Sequence, residues 1–222
     1  MSPAAEKLRT RAPRRPRSRA LLQAKKEDGR TVRSATTRRA VADAYLNLLN
    51  SGDMRPTAKA IAAEARVSER AVFRHFQDME TLHSEAAALQ IQRVGTDLPE
   101  PAPATGVVAE RAERLSQRWC TLNERVTPVR RVALLQEPFS KEIARRLLWV
   151  RTLARTELEQ TFAPELASAS EDARTGMIAA LSAAASWETW NELRARHGLE
   201  PEHALATVRT MLLAILTCFP SA

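Results

Sequence analysis

The chain has 222 residues, 44% of them hydrophobic and 27% charged, with a formal net charge of +8 at pH 7. That balance excludes a disordered or low-complexity protein and leaves room for a small module beside a second helical domain with its own core. Two cysteines, Cys120 and Cys218, are too few and too far apart for a disulfide scaffold or a zinc finger. The longest apolar run, Met211 to Leu216 and on to Phe219, is too short to span a bilayer, and residues 1–39 lack the apolar core of a signal peptide. A reducing, cytoplasmic setting is therefore expected. Glycine is scarce, at 6 residues, and no alternating β-branched run appears, while Ala, Leu, Arg and Glu recur throughout. The predicted class is all-α.

The positive charge is concentrated at one end. Residues 1–39 hold 13 Lys or Arg against 3 Asp or Glu, a local charge of +10, so the remaining chain sums to −2. Such a segment suits a polyanion. A solvated tail is the competing reading, because arginine outnumbers lysine 29 to 5 across the whole chain.

Residues 1–33 show little apolar periodicity and are expected to form a basic, flexible arm. A first helix is predicted from about Ser34 to Asn50, with Val41, Ala44, Tyr45, Leu48 and Leu49 as its buried stripe. Thr57 can cap a second helix to about Ala65, Ser68 a third to about Phe76, and Asp78 a fourth that links onward to about residue 95. Residues 97–106 carry three prolines and a glycine and read as a linker. Beyond it, residues 107–222 form a C-terminal helical domain, with helices near 107–125, 128–137, 139–163, 170–196 and 201–218.

Within 57–76 the spacing is that of a helix-turn-helix. Ala62, Arg66 and Val72 fall at the tight helix packing, the turn and the second-helix anchor, with Ile61, Ala65 and Val67 as apolar neighbours. A unit of this kind places its second helix in the DNA major groove. Arg70, near the start of that helix, matches the acceptor pair of guanine. Glu69 can accept from cytosine or favour the helix N-terminus. Ala71 can touch a thymine methyl or merely avoid a clash. Thr57, Lys59, Ser68, Arg74 and His75 suit phosphate contacts, although His75 also fits a packing or capping role. Val72 and Phe76 are assigned to the core.

The run from Thr57 to Leu82 resembles the tetracycline-repressor (TetR) family of bacterial regulators. The resemblance rests on Ile61-Ala62, on Val67-Ser68 in the turn, on Val72-Phe73-Arg74-His75-Phe76, and on Glu80 and Leu82. It covers about residues 34–82 and implies a three-helix DNA-binding domain, a helical effector-binding and dimerisation domain, and no catalysis. Three positions depart from the family pattern. Arg66 stands where glycine is usual, Phe73 replaces a tyrosine that retains a hydroxyl for phosphate, and Met79 replaces a lysine.

With that resemblance, the 3,4-spaced stripe of Leu205, Val208, Leu212, Ile215 and Phe219 is expected to form a homodimer seam with Ile178, Leu181 and Ala185. A face buried inside the protomer explains the same stripe. Trp119, Phe139, Trp149, Phe162, Trp187 and Trp190 are candidates for an effector pocket, with core packing as the alternative. The function expected is a sequence-specific regulator binding double-stranded operator DNA, a repressor relieved by a small molecule, with no cofactor, metal or membrane partner. A constitutive architectural DNA-binding protein is the second reading. A metal-dependent helical-bundle enzyme, from Glu80-x-x-His83 and Glu200-x-x-His203, is the third.

Overall fold

The computed structural model describes residues 18–218, with side chains from Thr31 onward. The chain divides into two compact units, residues 1–40 and residues 41–222. In the first, the described backbone is the beginning of helix α1 (Ser18–Asn50), whose side chains from Thr31 to Ala40 are exposed or half-exposed. Helix therefore replaces the expected flexible arm over residues 18–33, and the predicted start at Ser34 is too late. Ala20, Leu21, Leu22, Gln23, Ala24, Lys25 and Lys26 are all strong helix formers, a propensity that the search for an apolar stripe passes over. The remainder of the predicted arm, residues 1–17, lies outside the described residues.

In the second unit the C-terminal part of α1 packs with α2 (Ala58–Glu64), α3 (Glu69–His75) and α4 (Met79–Gly95). Val41, Tyr45, Leu46 and Leu49 meet Ile61, Val72, Phe76, Leu82 and Ala86 in one buried cluster. Each of the three short connections is closed by the capping residue expected from the sequence. Thr57 accepts from the Ala60 amide at 3.1 Å, Ser68 from Ala71 at 3.2 Å, and Asp78 from Thr81 at 2.7 Å.

The α2–α3 turn is a Schellman closure. The Val67 amide donates to the Ala62 carbonyl and the Arg66 amide to Ala63, which requires a left-handed residue between them. That residue is Arg66, at φ 55°, where an L side chain costs roughly 1–2 kcal/mol that glycine avoids.

Residues 97–106 form the loop between α4 and the long α5 (Val108–Gln136). Two predicted helices are one here, because α5 continues through Pro128. Side chains cover carbonyls around that interruption. The Thr127 hydroxyl donates to the Asn123 carbonyl at 2.6 Å and the Gln90 amide to the Arg125 carbonyl at 2.9 Å. Then follow α6 (Lys141–Thr161), a short α7 (Ala163–Ala167) that the sequence reading omits, α8 (Glu171–Ala184), α9 (Trp187–Asn191), a π-helical turn (Glu192–Arg196) and α10 (Pro201–Cys218). The predicted 170–196 helix is thus broken at Ala185-Ser186, where the Ser186 hydroxyl accepts from the Thr189 amide and starts a new helix. No strand occurs among the described residues.

A second cluster joins Leu115, Trp119, Leu158, Phe162, Leu181, Trp190, Ala204, Val208 and Leu212. Helix α5 belongs to both cores. Its N-terminal half contributes Ala112, Leu115 and Trp119 to the second cluster, whereas Val129 and Val132 join the helix-turn-helix core. Arg111 on α5, only 4% exposed, ion-pairs with Glu165 on α7 and lies 5.8 Å from the Phe162 ring, so a buried charge is matched there.

Candidate nucleic-acid interface and apolar cavity

Helix α3 exposes Glu69, Arg70, Phe73 and Arg74 and buries Ala71 and Val72. Arg70 and Arg74 are four residues apart and share one helix face. The side chains of Arg70, Arg74, Lys59 and Arg66 make no hydrogen bond or ion pair with the described residues, so their charge is directed to solvent. Glu69 sits in the first turn, where a carboxylate favours the positive end of the helix. Ala71 corrects the expected thymine contact, because it is only 6% exposed and packs inward. Ala71 and Val72, directly after the exposed Arg70, both face the core, and Phe73 and Arg74 return to the surface. Thr57 and Ser68 are exposed, but their oxygens already accept the capping bonds, which leaves each hydroxyl proton for a phosphate. His75 is half-buried at the end of α3. Phe73 is 55% exposed, an apolar ring on the surface where the resemblance expects a tyrosine. Met79 is half-buried against the helix-turn-helix core, so the position offers no cation.

The match to known proteins falls on this module. Residues 41–86 fit the family model for bacterial regulatory proteins of the tetR family. That match covers 46 of the 222 residues, all of them in the α1–α4 module. Two solved structures share the TetR fold over most of the chain, at identities that speak for fold alone. A transcriptional regulator from Rhodococcus sp. Rha1 has a TM-score of 0.62 at 18% identity, with 83% of this chain and 98% of that one covered. A Mesorhizobium loti MAFF303099 protein assigned to the TetR-family transcriptional regulators has a TM-score of 0.60 at 17% identity, covering 84% and 98%. None of the curated proteins matches the sequence. Residues 41–86 thus carry a module of the kind found in bacterial regulatory proteins of the tetR family. No helix among the described residues is long and apolar enough to cross a membrane.

Behind the TetR module lies a cavity of about 610 Å3, walled by α4, α5, α6, α8 and α9. Such a volume is within the range of small-molecule sites. Three of the six aromatic candidates line it, Trp119, Trp149 and Trp187. The other three do not. Phe162 and Trp190 are fully buried in the C-terminal core, and Phe139 is 90% exposed at the end of the α5–α6 turn. Trp187 and Trp190 also have structural partners, since their indole N–H groups donate to Thr127 and Glu124, both at 2.9 Å.

The sequence reading places Tyr45 in the core and His83 in a metal motif, and the structure joins the two between cavity and DNA module. His83 lines the cavity from α4, is 2% exposed, and its Nδ1 lies 3.1 Å from the Tyr45 hydroxyl on α1. Burial, with the nearby Arg146 guanidinium, pushes His83 down to about 4, so the ring is neutral at physiological pH. Burial likewise pushes Tyr45 up to about 12, so the hydroxyl keeps its proton. Arg146 on α6 in turn donates to the Ser84 carbonyl at 2.9 Å. A chain of contacts therefore runs from α6 through α4 to α1. The available signal was the Glu80-x-x-His83 motif, which was weighed only as metal ligation. Glu80 accepts from the Ser140 hydroxyl instead, and no three His, Cys, Asp or Glu side chains converge among the described residues.

The expected dimer stripe is corrected in part. Ile178, Leu181, Val208 and Leu212 are buried inside the protomer, with Leu212 at 0% and Leu181 at 1% exposure. Leu205, Ile215 and Ala185 are half-buried against the same core. Phe219 lies outside the described residues. A 3,4 spacing marks a face that packs on something, and here α5 and α8 are what it packs on.

Proposed function

We propose that this chain is a TetR-family repressor that binds paired operator half-sites as a homodimer and is released by a small molecule in the α4–α9 cavity. One observation carries the reading. Helix α4 is at once a wall of the cavity and a partner of the DNA module, through His83 and Tyr45. A ligand that displaces α4 by even a fraction of an ångström alters a packed core that has few ways to yield, so α3 moves with it. The same cavity weighs against a constitutive architectural protein, which has no use for one. Dimerisation supplies the two-fold symmetry that paired half-sites need. The proposed DNA contacts are Lys59, Arg70 and Arg74, with Thr57, Ser68, Phe73 and His75 beside them.

Selection of duplexes from a random pool tests the reading. The expected result is an inverted repeat, with half-sites about one helical turn apart or a multiple of it, protected by two copies of the chain. Enrichment of no sequence, or of a single half-site by a monomer, contradicts it.

A further inference from the structure

The chemistry of the cavity narrows what it takes. Its α5 wall runs Trp119, Leu122, Val126, Val129 and Ala133, an apolar face at helical spacing, and Trp149 and Trp187 add indole surface from α6 and α9. Four guanidinium groups interrupt this apolar lining, those of Arg130, Arg146, Arg151 and Arg155, against a single carboxylate, Glu188. Three of the four are already engaged. Arg146 donates to the Ser84 carbonyl, Arg151 grips Glu137 through both terminal nitrogens at 2.6 and 3.2 Å, and Arg155 donates to Glu159 at 2.7 Å. Arg130 differs. It is half-buried, its Nε is sealed from solvent without an acceptor, and no hydrogen bond or ion pair among the described residues holds it. Glu188 and Glu137 are near enough to favour its charge, but Glu137 is taken up by Arg151 and Glu188 also lies 4.0 Å from Arg151. A half-buried guanidinium without a fixed acceptor is costly to maintain, and burial pulls it below its usual range. An anion arriving in the cavity removes that cost.

We infer that the cavity takes an apolar acid, a molecule with an aliphatic or aromatic body and one ionised carboxylate, and that Arg130 receives the carboxylate. The planar fork of arginine matches a carboxylate with two parallel hydrogen bonds, which neither an alcohol nor an amine can accept. The indole and aliphatic walls bury the body. A cationic ligand, by contrast, meets four guanidinium groups and one carboxylate. The inference rests on the cavity being the effector site proposed above.

The test uses the full chain and the neutral dye N-phenyl-1-naphthylamine as occupancy probe, displaced by decanoate, 1-decanol or decylamine. Decanoate should displace the dye at concentrations roughly tenfold lower than the other two, the size of one charge-assisted hydrogen bond. In Arg130→Gln the preference should vanish while the dye still binds, and Arg130→Lys, which keeps the charge, should retain part of it. Equal displacement by all three compounds, a preference for decylamine, or an unchanged preference in Arg130→Gln overturns the carboxylate assignment alone. Failure of the dye and all three compounds to bind overturns the cavity reading itself.

Discussion

Leu212→Glu is expected to unfold the chain rather than to release folded monomers. Leu212 is 0% exposed, on the face of α10 that packs with Leu115, Phe162, Trp190 and Val208. Replacing it removes about 2 kcal/mol of apolar burial and forces a carboxylate into a site without a partner. Together these exceed about 4 kcal/mol, a large share of the 5–15 kcal/mol that holds a typical domain. Far-UV circular dichroism and urea titration should show loss of the cooperative transition at ambient temperature. Ala214→Glu, on the exposed side of the same helix, should leave that transition nearly unchanged. A folded, monomeric Leu212→Glu would place the residue at a subunit seam and contradict the packing.

Stability should fall as the pH drops through the range set by His83. Its folded pKa, about 4, lies below the unfolded value of 6.5, so the unfolded chain takes up the proton first. Above about pH 6.5 both states are neutral at this site and no penalty exists. Between 6.5 and 4 the unfolded state gains about 1.4 kcal/mol per pH unit, some 3 kcal/mol in all, and below that the slope ends. Carboxylates held low, such as Asp78 at its cap and Glu137 beneath Arg151, lose stability in the same direction as they protonate. The His83 share is therefore the difference between the native chain and His83→Asn, measured by urea unfolding across pH 7 to 4. Parallel pH profiles in the two proteins would mean that His83 titrates in the folded state as it does in the unfolded one.

Much of the DNA module is legible in the sequence because short-range chemistry specifies it. Thr57, Ser68 and Asp78 cap helices whose amides they satisfy, and Ile61, Val72 and Phe76 repeat at helical spacing, so elements and core emerge together. Arg66 could be flagged as a residue forced left-handed because its place in the turn is local. Long-range outcomes were less visible. Pro128 reads as a helix end, but Thr127 and Gln90 cover neighbouring carbonyls, and Gln90 comes from another helix. The stripe on α10 reveals that the helix packs, and nothing in it states whether the partner is this chain or a second copy. The aromatic candidates divided evenly between cavity and elsewhere, since aromatic bulk serves core and pocket alike. The sequence reading passes over Arg130 and takes His83 only as a metal-ligand candidate, for a related reason. An arginine on a mixed helix and a histidine beside an acidic residue acquire meaning only from what lies across the cavity.

The central claim, that α3 of this chain reads base sequence, is tested most directly by one paired measurement. Affinities of the native chain and of Arg70→Ala are compared on the selected operator and on random DNA at one salt concentration. Arg70 is exposed near the N-terminus of α3 and has no protein partner among the described residues, so its fork is available to a guanine edge. The account predicts a loss of about 1–3 kcal/mol on the operator and little change on random DNA. Equal losses on both DNAs, or none on the operator, would contradict it.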